Sequence, residues 1–392
     1  MRVISLRAIG ALVVNSVFSA GVVFGQSMMA DTEMAMADTP LPDEQVLEIE
    51  SQDEYYSSPR DFGVGSDCGC PTCTATCTCG PVFYASAEAL FLNRTRSDRV
   101  KILEYGQQQT RDTFPPSERP PRGQRPAILT TDALDFDYEW GPRITLGTWL
   151  NDCTAVEGRY YGLHHWKATA TIFSPDYPNP DEMAYDVPFD SDITGDFEDV
   201  ERTNVTYRSE FHNAELNLMS RRSECFSVFT GFRYINLLDE LDLEVTDIRP
   251  TRFEISNYLV DAENHLVGWQ LGGTFSRPIT QRLSWDVGGA SGLYVNFARQ
   301  RTYMTDRNSS EVPRNYTKEQ GELAFAGEVR FGLLYQVTSC MAVTGGYQLL
   351  WLEGVALAPE QLDFRTDTHQ QDLNHDGSAF FDGGYIGCQI EY

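Results

Sequence analysis

Side chains able to do chemistry occur in this chain in a few patterns, each suggesting a different chemistry. His164-His165 supplies two imidazoles. Adjacent residues of an extended segment point to opposite faces, so the pair is poorly placed to chelate one ion; two polar residues near an interface is the plainer reading. The stretch DLNHDG carries Asp372, Asn374, Asp376 and Gly377, matching the first half of a calcium-binding EF-hand loop. Position twelve is Gly383 where that loop needs Glu, and no flanking helices are apparent, so the calcium match is incomplete. Five cysteines, Cys68, Cys70, Cys73, Cys77 and Cys79, crowd into one short segment. Cys70 and Cys73 make the C-x2-C step of a zinc site, but no second pair follows at finger spacing. Local disulfides suit an exported chain better than a metal, and either would staple the segment. H-E-x-x-H, G-x-S-x-G, Walker A and dinucleotide-binding patterns do not occur, so the sequence implies no catalytic constellation and no cofactor.

A larger set of charges recurs on one side of alternating segments: Glu88, Glu139, Arg143, Glu157, Arg159, Glu215, Arg233, Asp286, Glu322, Glu328, Arg330 and Glu391. What they can do depends on the elements that carry them. In 138–150, Tyr138, Trp140, Ile144, Leu146 and Leu150 share one face, with Glu139, Arg143 and Thr145 opposite. Leu283, Trp285, Val287, Leu293, Val295 and Phe297 repeat the pattern, as do Leu323, Phe325, Val329, Phe331, Leu333 and Tyr335. The period of two predicts ten strands, at 83–94, 137–150, 153–167, 208–220, 225–237, 264–277, 283–298, 321–337, 340–352 and 383–392. Connections at 151–152, 221–224, 278–282 and 338–339 are short. Those at 95–136, 168–207, 238–263, 299–320 and 353–382 are long, the first and third with room for a hairpin, and the expected count is about ten strands, within 8–12.

An even number of antiparallel strands, with short turns at one end and long loops at the other, predicts an all-β transmembrane barrel. Short periplasmic turns and long extracellular loops follow from that plan. Three turns repeat a Cys followed by Val three residues later, which sets Cys153, Cys225 and Cys340 at equivalent positions. Trp140, Trp166, Trp269, Trp285 and Trp351 fall on the outward face as an aromatic girdle, while Trp149 falls on the other. The charged face then lines the lumen. Its members either flank a wet pore or pair across it and plug it. Eight strands enclose only side chains and sixteen leave a channel, so ten predicts a narrow or plugged lumen. The surplus of carboxylates would make any pore favour cations.

The 392 residues hold 30 Lys and Arg against 57 Asp and Glu, a net charge of −27. That balance excludes nucleic acid as a sequence-independent partner. Mean hydropathy is −0.35, and no segment after the first 25 residues supplies the apolar run of a spanning helix. Residues 1–25, with Arg2 and Arg7 before an apolar stretch, read as a secretory signal. Residues 26–67 contain 11 acids and one Arg and read as an acidic flexible leader, followed by the Cys-rich segment 68–80 and the barrel over 81–392. The long connection 171–202 carries 10 acids and reads as a solvated loop, or as one that bridges to anionic headgroups through divalent cations.

The stretch PVFYASAEALFLNRT after the Cys-rich segment resembles the first strand of the putative β-barrel porins of planctomycete bacteria. WLEGVALAPEQL and the ending DGSAFFDGGYIGCQIEY are similar to that family's ending, so the resemblance spans about residues 80–392. It implies an outer-membrane barrel with porin-like passage of small hydrophilic solutes or ions. The terminal Tyr392 after an alternating strand resembles the signal read by barrel-assembly machinery, which with outer-membrane lipids is an expected partner. The competing expectation is a closed structural or adhesive barrel presenting acidic loops; an enzyme is not expected.

Overall fold

The computed structural model describes residues 83–95, 97–174, 185–190, 197–198, 200–249, 252–305, 314–365 and 372–392. The signal, the acidic leader and all five cysteines of 68–80 lie outside them. The strands are β1 (Phe83–Arg94), β2 (Lys101–Tyr105), β3 (Ala127–Thr130), β4 (Glu139–Asn151), β5 (Thr154–Phe173), β6 (Tyr185–Asp186), β7 (Arg202–Arg221) and β8 (Phe226–Arg249). They continue as β9 (Arg252–Pro278), β10 (Leu283–Thr305), β11 (Asn315–Gln336), β12 (Met341–Val355) and β13 (Gly377–Glu391). Ten close into an antiparallel barrel in the order β1-β13-β12-β11-β10-β9-β8-β7-β5-β4. The seam joins Tyr84 to Glu391 and Phe83 to Thr148, so the first strand is paired on both sides. Closure removes the edges on which other sheets aggregate.

All ten barrel strands coincide with alternating segments of the sequence. Four short turns share one device: Asn151, Ser223, Thr280 and Thr338 each accept, through the side chain, the backbone N–H two residues on. Three of those donors are Cys153, Cys225 and Cys340, and the fourth is Arg282, which explains the repeat by turn geometry. Outside, a belt of apolar side chains faces away from the wall, including Trp140, Trp269, Leu271, Leu293, Leu323 and Phe331. Inside at the same level the strands carry charged and amide side chains.

The wall is uneven in height. Strands β5 and β7–β11 run for 20–27 residues, whereas β1, β4, β12 and β13 run for 12–15. The expected long loop at 238–263 is therefore a correction: β8 and β9 continue through it as one hairpin, paired out to Arg249 and Arg252. It adds length rather than strands. Residues 168–207 and 299–320 likewise give their ends to β5, β7, β10 and β11. In these tall segments the pattern inverts. On β8 the inward side chains change from Arg233 to Leu237, Leu241, Leu243 and Val245, all fully buried.

The apolar inner face above the belt is covered by the chain's own connections. Strands β3, β2 and β6 form a small separate sheet, and a 3₁₀ turn at Ala358–Gln361 follows β12. Ile102, Leu103, Val187, Phe189, Phe197, Leu357 and Leu362 pack with the inner faces of β8 and β9 in one core. Each such side chain contributes about 1.5–3 kcal/mol by burial. Asn264, fully buried, clamps the descending chain: its amide donates to Ala356 O at 2.7 Å, and its Oδ1 accepts from Ala356 N at 2.7 Å. The connection 171–202 is not wholly solvated, because Asp186 pairs with Arg125 at 2.7 Å and Glu198 with Arg122.

Candidate functional site

At mid-height the lumen is filled by a cluster drawn from all round the wall. Arg233 on β8 donates to Asn213 Oδ1 at 2.6 Å, to Tyr161 Oη at 2.6 Å and to Glu328 Oε2 at 2.9 Å. Tyr161 on β5 in turn donates to Glu328 on β11 at 2.9 Å. Strands β5 and β11 stand five places apart in a ring of ten, so this bond crosses the full width of the barrel. The side chains of Arg233 and Glu328 are only 1% and 7% exposed. Glu215 accepts from Asn213, Asn217 and Gln270, at 2.9–3.0 Å, and lies 3.7 Å from Arg233.

Three further groups complete the layer. Arg143 on β4 donates to Glu88 on β1 and to Gln348 on β12, and lies 4.4 Å over the ring of Tyr385 on β13. Arg159 holds Glu157 at 2.9 Å, and Tyr84 donates to the same carboxylate at 2.9 Å. Arg330 lies 4.0 Å from Asp286, the longest pair of the set. Buried charges survive only when paired and hydrogen bonded; the Arg233, Arg143 and Arg159 groups are both, whereas Arg330 and Asp286, each about a fifth exposed, are held by charge alone. Five carboxylates (Glu88, Glu157, Glu215, Asp286, Glu328) face four guanidinium groups (Arg143, Arg159, Arg233, Arg330), so this layer is nearly neutral.

Not every expected lumen residue joins it. Glu139 sits four residues above Arg143 on β4, half-buried at the long-loop end. Glu322 stands at the mouth, 44% exposed and 3.9 Å from His375. Glu391 ends the last strand and accepts from Gln389. Much of the carboxylate surplus thus lies at the barrel's ends.

Trp166 corrects the girdle. It is 1% exposed and inside the barrel, stacked on His164, with Nε1 donating to Leu92 O at 3.0 Å. The cause is a bulge in β5: Gly162 pairs with His212 and His164 with Phe211, leaving Leu163 as an extra residue at φ 63°. One extra residue flips every later side chain to the other face. Trp140, Trp269, Trp285 and Trp351 do face outward, Trp351 lying over Gly327, where a Cβ would come 2.1 Å from the indole. Among the described residues no group of three His, Cys, Asp or Glu is placed to hold a metal. Asp372 and Asp376 are exposed, and Asn374 is tied through its backbone to Gln361.

A second cross-lumen tie was not legible in the sequence. Arg94 at the top of β1 makes a two-pronged pair with Asp239 on β8, at 2.6 and 2.9 Å, and both side chains are 0% exposed. Tyr207 on β7 donates to the same carboxylate at 2.7 Å. Its signal is faint: Arg94 and Asp239 each stand near the end of a predicted strand.

A closed ten-stranded antiparallel wall, apolar outside and paired in charge within, defines an outer-membrane-type β-barrel. The chain belongs to the family described as Putative beta barrel porin-7, whose profile matches residues 126–379. No curated protein matches it. Among solved structures it is similar to the outer membrane protease OmpT from Escherichia coli, at 9% identity and TM-score 0.41, over 82% of this chain and 100% of that one. It is also similar to a Pseudomonas aeruginosa FadL homologue, at 11% identity and TM-score 0.29, over 80% and 90%. The translocator domain of autotransporter NalP from Neisseria meningitidis gives 8% identity and TM-score 0.34, over 80% and 90%. Likenesses so distant carry no argument about activity.

Proposed function

We propose that the protein is exported by its N-terminal signal and resides in the outer membrane as a barrel closed at rest. Small cations or other hydrophilic solutes pass only when the charged layer rearranges. The observation that carries this reading is the Tyr161–Glu328–Arg233 bridge, which spans opposite strands with side chains sealed from water. Lipid would cover the outward apolar belt, and barrel-assembly machinery would engage β13 and its terminal Tyr392. The reading assigns the protein no catalytic step. Family membership supports the passage itself, while the cation preference rests on the carboxylates at the mouth and rim.

Single-channel recording in a planar bilayer tests it. The mature protein is expected to insert and stay silent for most of the record at neutral pH. Arg233→Ala, which strips the cation from Glu328 and leaves Glu215 only Arg159, is expected to give frequent steps with a cation-leaning reversal potential. Steady open steps from the unaltered protein would overturn closure at rest.

A further inference from the structure

One cleft of about 410 Å³ opens on the outside of the tall wall, where β9, β10 and β11 run side by side. Register lays its surroundings out in rows. Val267, Val295 and Leu323 stand abreast; one step up are His265, Phe297 and Gly321; one step further are Glu263, Arg299 and Glu319. Phe297 is 57% and Leu323 70% exposed, so the cleft lies at the upper border of the apolar belt. Gly321 makes the hollow, since a Cβ there would meet nothing within 4 Å.

The charges above it are mixed. Arg299 Nε lies 3.6 Å from Glu319, and both side chains are more than half exposed. Glu263 flanks Arg299 on the other side and lies 3.0 Å from His265 Nε2, while Tyr234 occupies His265 Nδ1 at 2.8 Å. A bare anion entering this cleft meets two carboxylates, and a bare amine meets the guanidinium. A ligand carrying a phosphate beside a primary ammonium satisfies Arg299 and Glu319 together, Glu263 being held by His265, with chains left to lie on Phe297 and Leu323. Neighbouring strands are about 5 Å apart, a span that a two-carbon bridge between phosphate and amine can cover.

We propose that this cleft binds the headgroup of a phosphoethanolamine lipid, phosphate on Arg299 and ammonium on Glu319 of the neighbouring strand. The inference rests on the outer-membrane reading. Its test is native mass spectrometry of the mature protein released from nanodiscs of equal parts phosphatidylethanolamine, phosphatidylglycerol and phosphatidylcholine. Phosphatidylethanolamine is expected to be retained at least about fivefold over the other two. Arg299→Gln and Gly321→Leu are each expected to abolish that preference, and Glu319→Gln to shift it toward phosphatidylglycerol. Equal retention of the three lipids, or a preference that survives both Arg299→Gln and Gly321→Leu, would overturn the site alone. Failure of the protein to enter nanodiscs at all would overturn the membrane reading with it.

Discussion

Arg233 lies between Glu215 and Glu328 and donates to Tyr161, so removing its charge takes the paired cation from buried Glu328 and leaves Glu215 with Arg159 alone, at 3.8 Å. Breaking one side of a buried ion pair costs about 3–5 kcal/mol. Arg233→Ala should therefore lower the unfolding midpoint in detergent by a clear margin, while Arg299→Gln on the exposed outer surface should leave it nearly unchanged. Equal effects of the two would mean that the lumen cluster is wetter than its burial indicates. Glu360, in the 3₁₀ turn that fills the mouth, titrates differently. Burial, and then the Asp98 carboxylate beside it, push its pKa up to about 7. A carboxyl raised in the folded state favours folding fully below its unfolded value of about 4.3, and that contribution is lost as pH rises through the folded value. Amide exchange across 356–365 should accordingly quicken between pH 5 and pH 8, beyond the intrinsic rate. Glu360→Gln should remove that dependence, and a wild type with equal protection at both pH values would disprove the coupling.

The bulge in β5 belongs to the scale of elements. Leu163 is the extra residue, and its left-handed φ costs about 1–2 kcal/mol for a residue that is not Gly. Deleting Leu163 should leave a regular strand that keeps His164 and Trp166 inward, with no loss of stability. Trp166 emission should stay blue; a red shift with loss of the folded band on a gel would reject this account. The bulge also marks what the sequence conceals, since only Gly162 hints at it, and unbroken alternation carries Trp166 outward. The tall ends of β7–β9 were hidden for a different reason. Their period remains two, but the phase of hydrophobicity reverses: below, the apolar side faces out (Phe232) and the charge faces in (Arg233). Above, Glu240, Asp242 and Glu244 face out while Leu241 and Leu243 face in. A search for one continuous apolar face stops where the surroundings of the wall change from lipid to water.

At the scale of the whole molecule, the outer belt and the inner core make opposite demands on the same residue types. Leu271, fully outward, should tolerate Arg in a soluble protein, but in a bilayer the same change costs about 2–4 kcal/mol near the midplane. Leu271→Arg should therefore fold poorly into vesicles and yet behave like wild type in a detergent that can rearrange around the charge. Equal folding in both would argue that the belt does not face lipid.

The sequence by itself determined the number of barrel strands, their antiparallel order, the repeated turns and the sides on which most charges lie. Those properties are local: a period of two, a turn residue bonding its own backbone, and a short connection are each read within a few residues. Tertiary structure alone decided which side chains meet across the lumen. Glu328 and Tyr161 are 167 residues apart, and Arg94 and Asp239 are 145 apart, yet each pair meets across the barrel. Alternation places such groups inside but not at which height or opposite which partner; closure of the ring and the stagger of its strands fix both. The same closure made the mouth a core, because the inward Leu and Val of the tall strands could leave water only against the chain's own connecting segments.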